Sequence, residues 1–324
     1  MNAAHRETAG GVLAGDGELR GALRFRESMS RHTTLRLGGV ADCYYEAEDL
    51  DDLALFLHRL PAREPVTWVG RGSNLLVRDG GIRGVVISTR RALARLHPPA
   101  GARVYIEAGV PCSRIARFCA GHGLAGAEFL AGIPGTLGGA LAMNAGAHGV
   151  EIWELTPEVR LFDRRGGTAR ALRRDFRIGY RSVGLPPDRW FAGAVLELRP
   201  GNREACVSRI REILAERAAS QPLGQPNCGS VFRNPAGGYY AARLIEQCGL
   251  KGLRVGGARV SRKHANFIVN EDGATAADIE TLIRHIQRLV QRRCGILLTP
   301  ELRIVGEPPT APGRAANGHA NGGE

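Results

Sequence analysis

Short apolar runs bounded by glycine recur through the first two thirds of the chain. Runs at positions 66–69, 85–87 and 104–106 have the length and the flanking residues of buried strands. Helical periodicity is rarer here. Pro111 begins one helical stretch and the sequence Gly121-His122-Gly123 ends it, in the usual order of proline at the start and glycine at the end. The pattern therefore predicts a β-rich region with few helices.

The pattern changes after Asn202, which is placed to cap an amphipathic helix that ends near Ala219. Farther on we expect a strand at 230–232, a helix at 239–248, a strand at 267–269 and a last strand at 301–305. Thr275 and Asp278 form a capping-box pattern at the start of a long helix. Its predicted buried stripe comprises Ile279, Leu282, Ile283, Ile286 and Val290. Alternating elements of this kind predict an α+β domain of about 100 residues.

Length and composition are those of a globular protein with a sizeable core. The chain has 324 residues, of which 44% are hydrophobic and 23% charged. It contains no apolar stretch long enough to span a bilayer, and its N-terminus lacks the apolar segment of a secretory signal. We therefore expect a cytoplasmic protein without a membrane partner. Positions 1–25 and 307–324 are rich in small residues and proline and are predicted to be a disordered leader and tail.

Charge and cysteine content argue against two further classes. The net charge of +12 is carried almost wholly by arginine, since only Lys251 and Lys263 are lysines, and it is spread along the chain. No arginine tract, zinc finger or aromatic RNA-binding motif accompanies it, so we expect no nucleic-acid partner. The seven cysteines are scattered and form no CxxC pair or Cys/His cluster, which predicts free thiols and no metal site.

Two glycine-rich stretches carry the strongest chemical signal. VGRGSNLLV at 69–77 and GIPGTLGGALAMNAGAHG at 132–149 combine glycine with small hydroxyl and amide residues. Such loops can expose backbone N–H groups to a pyrophosphate, because no Cβ keeps the anion away. Neither loop completes GxGxxG after a strand, and GxxxxGK[ST] is absent, so Rossmann and P-loop folds are not favoured. Two such loops in one region favour a bound dinucleotide over ordinary tight turns.

Seven motifs, in order along the chain, carry a resemblance to a known family. Besides the two glycine loops they are HTTLRLGGVAD (32–42), GYRS (179–182), GSVFRNP (229–235), LIEQCGLKGLRVGGARVSRKHANFIVN (244–270) and LLTPELRIVG (297–306). From about residue 31 to residue 306 the chain resembles the UDP-N-acetylenolpyruvoylglucosamine reductases, flavoenzymes of peptidoglycan precursor synthesis. The short segment at 180–191 resembles the subgroup that lacks an extra tyrosine-bearing substrate loop.

The resemblance implies an α+β protein with a two-subdomain FAD-binding region of the vanillyl-alcohol-oxidase (PCMH) type, followed by an α+β substrate-binding domain. The implied bounds are 26–200 for the FAD-binding region, with subdomains at about 26–95 and 96–200. A connecting helix would occupy 201–219 and the substrate-binding domain 220–306. The implied reaction reduces UDP-N-acetylglucosamine enolpyruvate to UDP-N-acetylmuramate, with NADPH as reductant and non-covalent FAD as carrier. The resemblance also implies a monomer whose partner is this small-molecule substrate.

Three residues match the catalytic positions of the family. Arg181 would stabilise the enolate that forms on hydride addition, Ser230 would donate a proton to the α carbon, and Glu301 would assist at the enolate. The positions implied to bind FAD are Gly70, Gly72, Ser73, Asn74, Leu75, Gly135, Thr136, Gly138, Gly139, Asn144, Gly146 and Ala147. Those implied to bind substrate are Tyr180, Arg233 and Asn234.

Some positions depart from the family pattern. Val183 stands where a serine is usual, Arg259 replaces a glutamine, and Arg233 replaces a lysine, which alters the donor geometry but keeps the charge. Two other functions stay open from sequence. One is an FAD-linked oxidase or dehydrogenase of the same superfamily with a covalently attached flavin, for which His148 is the nearest attachment point. The other is a phosphate-binding or nucleic-acid-binding module without catalysis.

Overall fold

The structure is a computed structural model that describes residues 19–309. Its α-helices are α1 (Leu50–Arg59), α2 (Cys112–Gly121), α3 (Leu137–Met143), α4 (Arg203–Ser220), α5 (Ala241–Gln247) and α6 (Ala276–Cys294). Single 3-10 turns lie at Met29–Arg31, Glu128–Gly132, Ile152–Glu154 and Arg173–Asp175. Three of these six helices lie after residue 200, as the sequence pattern predicts.

Nineteen strands make up the β structure of the described residues. Those in the first half are β1 (Ala22–Ser28), β2 (Val40–Glu46), β3 (Val66–Val69), β4 (Leu75–Val77), β5 (Ile82–Ser88), β6 (Arg103–Glu107), β7 (Leu124–Ala125), β8 (Gly146–Ala147), β9 (Val150–Glu151) and β10 (Glu158–Asp163). The others are β11 (Thr168–Leu172), β12 (Arg177–Gly179), β13 (Ser182–Gly184), β14 (Arg189–Glu197), β15 (Arg199–Pro200), β16 (Arg254–Val255), β17 (Ala258–Val260), β18 (Ile268–Asn270) and β19 (Arg303–Val305).

Two four-stranded sheets are the largest sheets of residues 22–197. The first has the order β1-β2-β5-β3, with β2, β5 and β3 parallel, and the second has the antiparallel order β11-β10-β14-β6. One hydrophobic core includes Tyr45 and Ile87 of the first sheet together with Ile106 and Val159 of the second. The strands of the first sheet precede residue 95 in the sequence and those of the second follow it, and both sheets pack against the shared core.

A second core belongs to the last hundred residues. The small sheet β16-β17-β18 packs with α5 and α6, and their apolar side chains form one cluster. Leu35, Leu37 and Leu76 of the first region join this cluster. Strand β19 then returns to pair in parallel with β4, in the register Arg303 to Leu75. The last domain is therefore fastened to the first through both its core and its final strand.

The predicted helix signals are confirmed. The Asn202 side chain accepts a hydrogen bond from the Ala205 N–H (2.9 Å) at the start of α4, and Pro111 immediately precedes α2. At α6, Thr275 Oγ1 accepts from the Asp278 N–H (3.1 Å) while the Asp278 carboxylate accepts from the Thr275 N–H (3.0 Å). All five residues of the predicted stripe are buried. The strands predicted at 66–69, 85–87, 104–106 and 267–269 are present to within three residues at either end.

Two predicted strands are wrong in position. Residues 230–232 form no strand, because Gly229 has a φ of +78° and the partner of Phe232 is Pro300, which has no N–H to continue a ladder. The last strand begins at Arg303 rather than at residue 301. Helix α5 also starts later than predicted, at Ala241. Residues 227–233 are an extended but irregular segment, held by contacts that sequence periodicity does not reveal.

The predicted leader and tail are too long at their inner ends. Residues 22–25 belong to β1, which pairs with β2, and Glu307 exchanges backbone hydrogen bonds with Gly80 and Gly81 (3.0 and 2.9 Å). The rest of both predictions, at 1–18 and 310–324, lies outside the described residues. In the part of the chain that the structure describes, no helix combines the length and apolarity needed to cross a bilayer.

Candidate active site

A cavity of about 320 Å³ lies where the two glycine loops meet the C-terminal domain. The sequence-predicted residues that line it are Gly70, Gly72, Ser73, Asn74, Leu75, Gly135, Thr136, Gly139, Gly146, Ala147, Arg181, Ser230 and Glu301. Ten of these were predicted to bind cofactor and the other three were predicted to be catalytic. The fold thus brings residues more than 200 positions apart in the chain to one cavity.

The first glycine loop follows β3 and presents backbone donors. Within the described residues, no backbone N–H from 71 to 74 donates to a backbone carbonyl. Gly72 has a φ of +61°, and a Cβ on Gly70 would lie 2.5 Å from Thr136 Oγ1, so the glycines let the two loops approach each other closely. N–H groups without a backbone acceptor, on a loop that lines a cavity, suit an anion such as a pyrophosphate. These residues therefore fit the cofactor implied by the sequence.

Two of the predicted cofactor residues have other roles. Gly138 does not line the cavity: its N–H donates to the Ala108 carbonyl (2.8 Å), and a Cβ there would lie 3.0 Å from the Ala108 Cβ. Its glycine is explained by this close packing of α3. Asn144 is buried at the end of α3 with a φ of 43°, and its Nδ2 donates to Glu151 Oε2 (2.5 Å) and to the Gly179 carbonyl (3.1 Å). It braces the hairpin that carries Arg181.

Arg181 lies in the tight turn between β12 and β13. Its φ of 53° is unusual for a residue with a side chain, and such strain clusters at functional sites. The guanidinium donates from Nε to Glu301 Oε1 (3.1 Å) and from the two terminal nitrogens to the carbonyls of Asn144 (3.3 Å) and Gly146 (2.8 Å). These bonds hold the cation at the cavity wall in one orientation.

Glu301 lies beside Arg181 in the cavity lining. Burial raises the pKa of its carboxyl above the usual range, and the nearby cations Arg181 and Arg233 oppose that shift without cancelling it. The Glu301 carbonyl accepts from Asn74 Nδ2 (3.1 Å), which connects the first glycine loop to the acid. A carboxyl of this kind is easier to protonate than an exposed one and can take part in proton transfer.

Ser230 is held in place by its neighbours in the chain. The Val231 N–H donates to the Asn266 carbonyl (2.9 Å), and the Val231 carbonyl accepts from the Glu301 N–H (2.7 Å). The Asn266 side chain makes two further hydrogen bonds, one with the N–H (3.0 Å) and one with the carbonyl (2.8 Å) of Phe232. Gly229 supplies the left-handed conformation that turns the chain into this arrangement. The serine is therefore fixed against the segment that carries Glu301.

The predicted substrate residues lie beside the cavity rather than in its lining. Tyr180 is 47% exposed, and the Arg181 guanidinium lies 5.0 Å from its ring centroid. The Arg233 N–H donates to the Thr299 carbonyl (2.9 Å), and the Arg233 charge acts on Glu301. Asn234 Oδ1 accepts from the Ala241 N–H (3.1 Å) and so helps to begin α5.

Two departures from the family pattern have simple structural roles. Val183 pairs with Ile178 in the hairpin β12–β13, on either side of the turn that holds Arg181. Arg259 forms an ion pair with Glu271. Neither residue lines the cavity.

Sequence reasoning missed three cationic residues of the cavity. Arg71 lies in the first loop, Arg217 on α4 and Arg303 on β19. Arg217 Nε donates to Gln221 Oε1 (2.9 Å), and burial lowers the pKa of this guanidinium. The abundance of arginine hid these positions, because no spacing distinguishes them from solvated arginines. With Arg181 they give the lining four guanidinium groups against the single carboxylate of Glu301, which favours an anionic ligand.

His148, the predicted point of covalent flavin attachment, lies outside the cavity lining, and its Nδ1 is 3.6 Å from a carboxylate oxygen of Glu216. Cys228 does line the cavity, but burial raises the pKa of its thiol to about 12, so it is a poor nucleophile. Across residues 19–309, no three His, Cys, Asp or Glu side chains are grouped as metal ligands.

Comparisons with known proteins agree with this geometry. Residues 41–171 match an FAD binding domain, and residues 221–305 match the C-terminal domain of UDP-N-acetylenolpyruvoylglucosamine reductase. The reductase of that name from Methylococcus capsulatus is 55% identical over 288 residues, covering 89% of this chain and 94% of that protein. The one from Alkalilimnicola ehrlichii is 55% identical over 287 residues, covering 89% and 96%.

A solved structure is also similar. The UDP-N-acetylenolpyruvylglucosamine reductase of Thermus caldophilus superposes with a TM-score of 0.73 at 31% identity, covering 89% of this chain and 99% of that one. Fold and site define a flavoprotein oxidoreductase with an FAD-binding region of the vanillyl-alcohol-oxidase type. More particularly, the chain belongs to the UDP-N-acetylenolpyruvoylglucosamine reductase family.

Proposed function

We propose that this protein reduces UDP-N-acetylglucosamine enolpyruvate to UDP-N-acetylmuramate, taking reducing equivalents from NADPH through non-covalent FAD. Residues 26–200 would bind the FAD and residues 220–306 the substrate. The observation that carries the proposal is the convergence of Arg181, Ser230 and Glu301 on one cavity that both glycine loops line. Family membership supports the same reaction.

The charge of the cavity agrees with these ligands. FAD, NADPH and the UDP-sugar each carry a pyrophosphate, and the substrate adds a carboxylate. Four arginines in the lining, with only Glu301 opposing them, favour such anions. The N–H groups at 71–74, which have no backbone acceptor, supply neutral donors of the kind that cradle a pyrophosphate. The adjacent cation Arg233 extends the positive field toward the C-terminal domain.

The three principal side chains can divide the remaining chemistry. FAD, when bound, supplies the hydride that is added to the vinyl carbon. Negative charge then develops on the substrate carboxylate and α carbon, where the fixed guanidinium of Arg181 stabilises it. Ser230 donates a proton to the α carbon, and its backbone restraints set the direction of that donation. Glu301 keeps Arg181 oriented and, because its pKa is raised, can hold a proton at the enolate.

Anaerobic visible spectroscopy tests the proposal. The purified protein, reconstituted with FAD, is mixed with NADPH, and the flavin band is followed before and after UDP-N-acetylglucosamine enolpyruvate is added. We expect NADPH to bleach the band and the substrate to restore it without oxygen. A band that bleaches but does not respond to the substrate would contradict the assigned reaction. Absence of any band with added FAD would contradict the cofactor assignment.

Two controls separate the alternatives. NADH in place of NADPH measures the preference between the two nucleotides. Acid precipitation of the protein tests attachment, since we expect all flavin in the supernatant. Flavin that stays with the pellet would favour the covalently linked oxidase, with His148 as the first residue to map.

We also expect a cytoplasmic monomer, as the family resemblance implies. Light scattering after size exclusion measures the mass directly. A dimeric mass that persists on dilution would contradict this expectation.

A further inference from the structure

Two cysteines meet outside the active site. The Sγ atoms of Cys248 and Cys294 lie 3.7 Å apart, although the residues are 46 positions apart in the chain. Cys248 directly follows α5, and Cys294 is the last residue of α6, so the C-terminal ends of these two helices meet at the two thiols. Neither residue lines the cavity. This pair belongs to the core of the last domain and has no part in the proposed reaction.

The pair differs from the other cysteines in exposure. Cys294 is half-buried, whereas the other six cysteines of the chain are buried. Burial raises the pKa of the Cys43, Cys112, Cys119 and Cys228 thiols to about 12, which makes them unreactive. Cys294 is therefore the thiol that a dissolved oxidant reaches first. Its nearest thiol neighbour is the buried Cys248.

A basic side chain lies beside the pair. Arg293 Nη1 donates to the Cys248 carbonyl (2.6 Å). Burial and the neighbouring Cys294 raise the pKa of the Cys248 thiol, and the charge of Arg293 opposes that shift without cancelling it. Cys248 therefore enters the second step described below as a thiol whose proton leaves with the water. Gly295 follows in the left-handed conformation, with φ at +72°, and ends α6 immediately beyond Cys294.

From this geometry we propose that Cys248 and Cys294 form a reversible disulfide when a hydroperoxide oxidises the protein. The Cys294 thiolate attacks the peroxide oxygen and breaks the O–O bond, which gives a sulfenic acid and releases hydroxide or alkoxide. The Cys248 sulfur then attacks the Cys294 sulfur, the S–O bond breaks, and water leaves with the Cys248 proton. Two thiols are oxidised and one hydroperoxide is reduced. A dithiol such as dithiothreitol returns both thiols by exchange.

Little movement is needed for the second step. A disulfide bond is about 2.05 Å long, so the two sulfur atoms must approach by roughly 1.7 Å, which is within the reach of side-chain rotation. The bond would tie the end of α5 to the end of α6 and close a loop across most of the last domain. Since the bond would restrict the conformations open to the unfolded chain, the oxidised form should melt at a higher temperature than the reduced form. The cavity stays open, because the bond lies away from its lining.

The test uses the full chain and hydrogen peroxide. Protein is oxidised with a small molar excess, alkylated, digested without reductant and mapped by mass spectrometry. We expect one linked peptide pair that contains Cys248 and Cys294, its loss after dithiothreitol, and a higher thermal midpoint for the oxidised protein. The rate of substrate reduction should change less than about twofold, since the cavity residues are untouched.

Two variants sharpen the result. Cys294→Ser should abolish both the linked peptide and the thermal shift. The matched control Cys206→Ser alters a buried cysteine of α4 and should leave both unchanged. Peroxide that converts Cys294 to a sulfinic acid, links two chains through Cys294 or leaves both thiols free would overturn the proposal. Peptide mapping of the unaltered chain decides this even where a variant does not fold.

Discussion

Asn266 controls the position of Ser230 without lining the cavity itself. Its side chain is 4% exposed and makes both of its hydrogen bonds with Phe232, two residues after the serine. Asn266→Ala removes the amide and leaves the N–H and the carbonyl of Phe232 without these partners. Phe232 is itself only 1% exposed, so water has poor access to the freed groups.

The size of the effect follows from those two groups. A buried donor or acceptor that loses its partner costs about 1–3 kcal/mol, so we expect the free energy of unfolding to fall by about 3 kcal/mol. The segment 229–233 then loses the two bonds to the Asn266 side chain and keeps its backbone bonds to Asn266, Glu301 and Thr299. A displacement of the serine by about 1 Å is enough to lower kcat by roughly 100-fold.

Urea unfolding and steady-state kinetics measure the two effects separately. The matched control is Asn270→Ala, because Asn270 also makes two side-chain hydrogen bonds, with the Leu35 carbonyl and the Ala274 N–H (both 2.9 Å), but does not contact the serine segment. We expect both variants to lose stability and only Asn266→Ala to lose kcat, with flavin content unchanged in both. Equal kcat values in the two variants would refute the claim that Asn266 positions the serine.

Three further predictions concern the site. Burial raises the pKa of Glu301, so the carboxyl lowers the free energy of unfolding of the protein as pH rises above about 4.3, the pKa of an exposed glutamate. Glu301→Gln should therefore become more stable relative to the unaltered protein as pH rises from about 4 to about 7. A difference in unfolding free energy that does not change with pH would count against a raised pKa. Gly229→Ala should lower the free energy of unfolding by about 1–2 kcal/mol and lower kcat, because Gly229 has a φ of +78°. The control Gly224→Ala, where a Cβ also has free space but φ is not positive, should change neither quantity appreciably. Gly70→Ala sets a Cβ against Thr136 Oγ1 and should release FAD during dialysis; full retention, measured as the ratio of visible to ultraviolet absorbance, would exclude the loop contact as a requirement for binding.

Local signals in the sequence were sufficient for most helices and for the long strands. The caps at Asn202 and Thr275 and the stripe of α6 depend on residues within one or two turns of each other, and all are confirmed. The strand predicted at 230–232 failed because its shape depends on Asn266 and Pro300, which are far away in the chain. Long-range partners of this kind leave no periodic pattern.

The candidate site was predictable through the family motifs rather than through chemistry alone. Arg181, Ser230 and Glu301 were found because their motifs match the family, and the structure brings all three to one cavity. Arg217 was missed because an arginine on an amphipathic helix is ordinarily solvated. Gly138 stays a predicted cofactor residue, and the structure shows its packing against Ala108; sequence does not distinguish a glycine that packs a helix from one that admits a ligand.

The most direct test of the account compares the two anaerobic half-reactions in the unaltered protein and in Ser230→Ala by stopped-flow absorbance. The account predicts that NADPH reduces the flavin at the same rate in both proteins, because Ser230 has no part in that step. Reoxidation by UDP-N-acetylglucosamine enolpyruvate should be slower in the variant by about 10²–10⁴-fold, the usual contribution of a general acid. Equal reoxidation rates in the two proteins would contradict the assignment of proton donation to Ser230, and no reoxidation in either would contradict the proposed reaction itself.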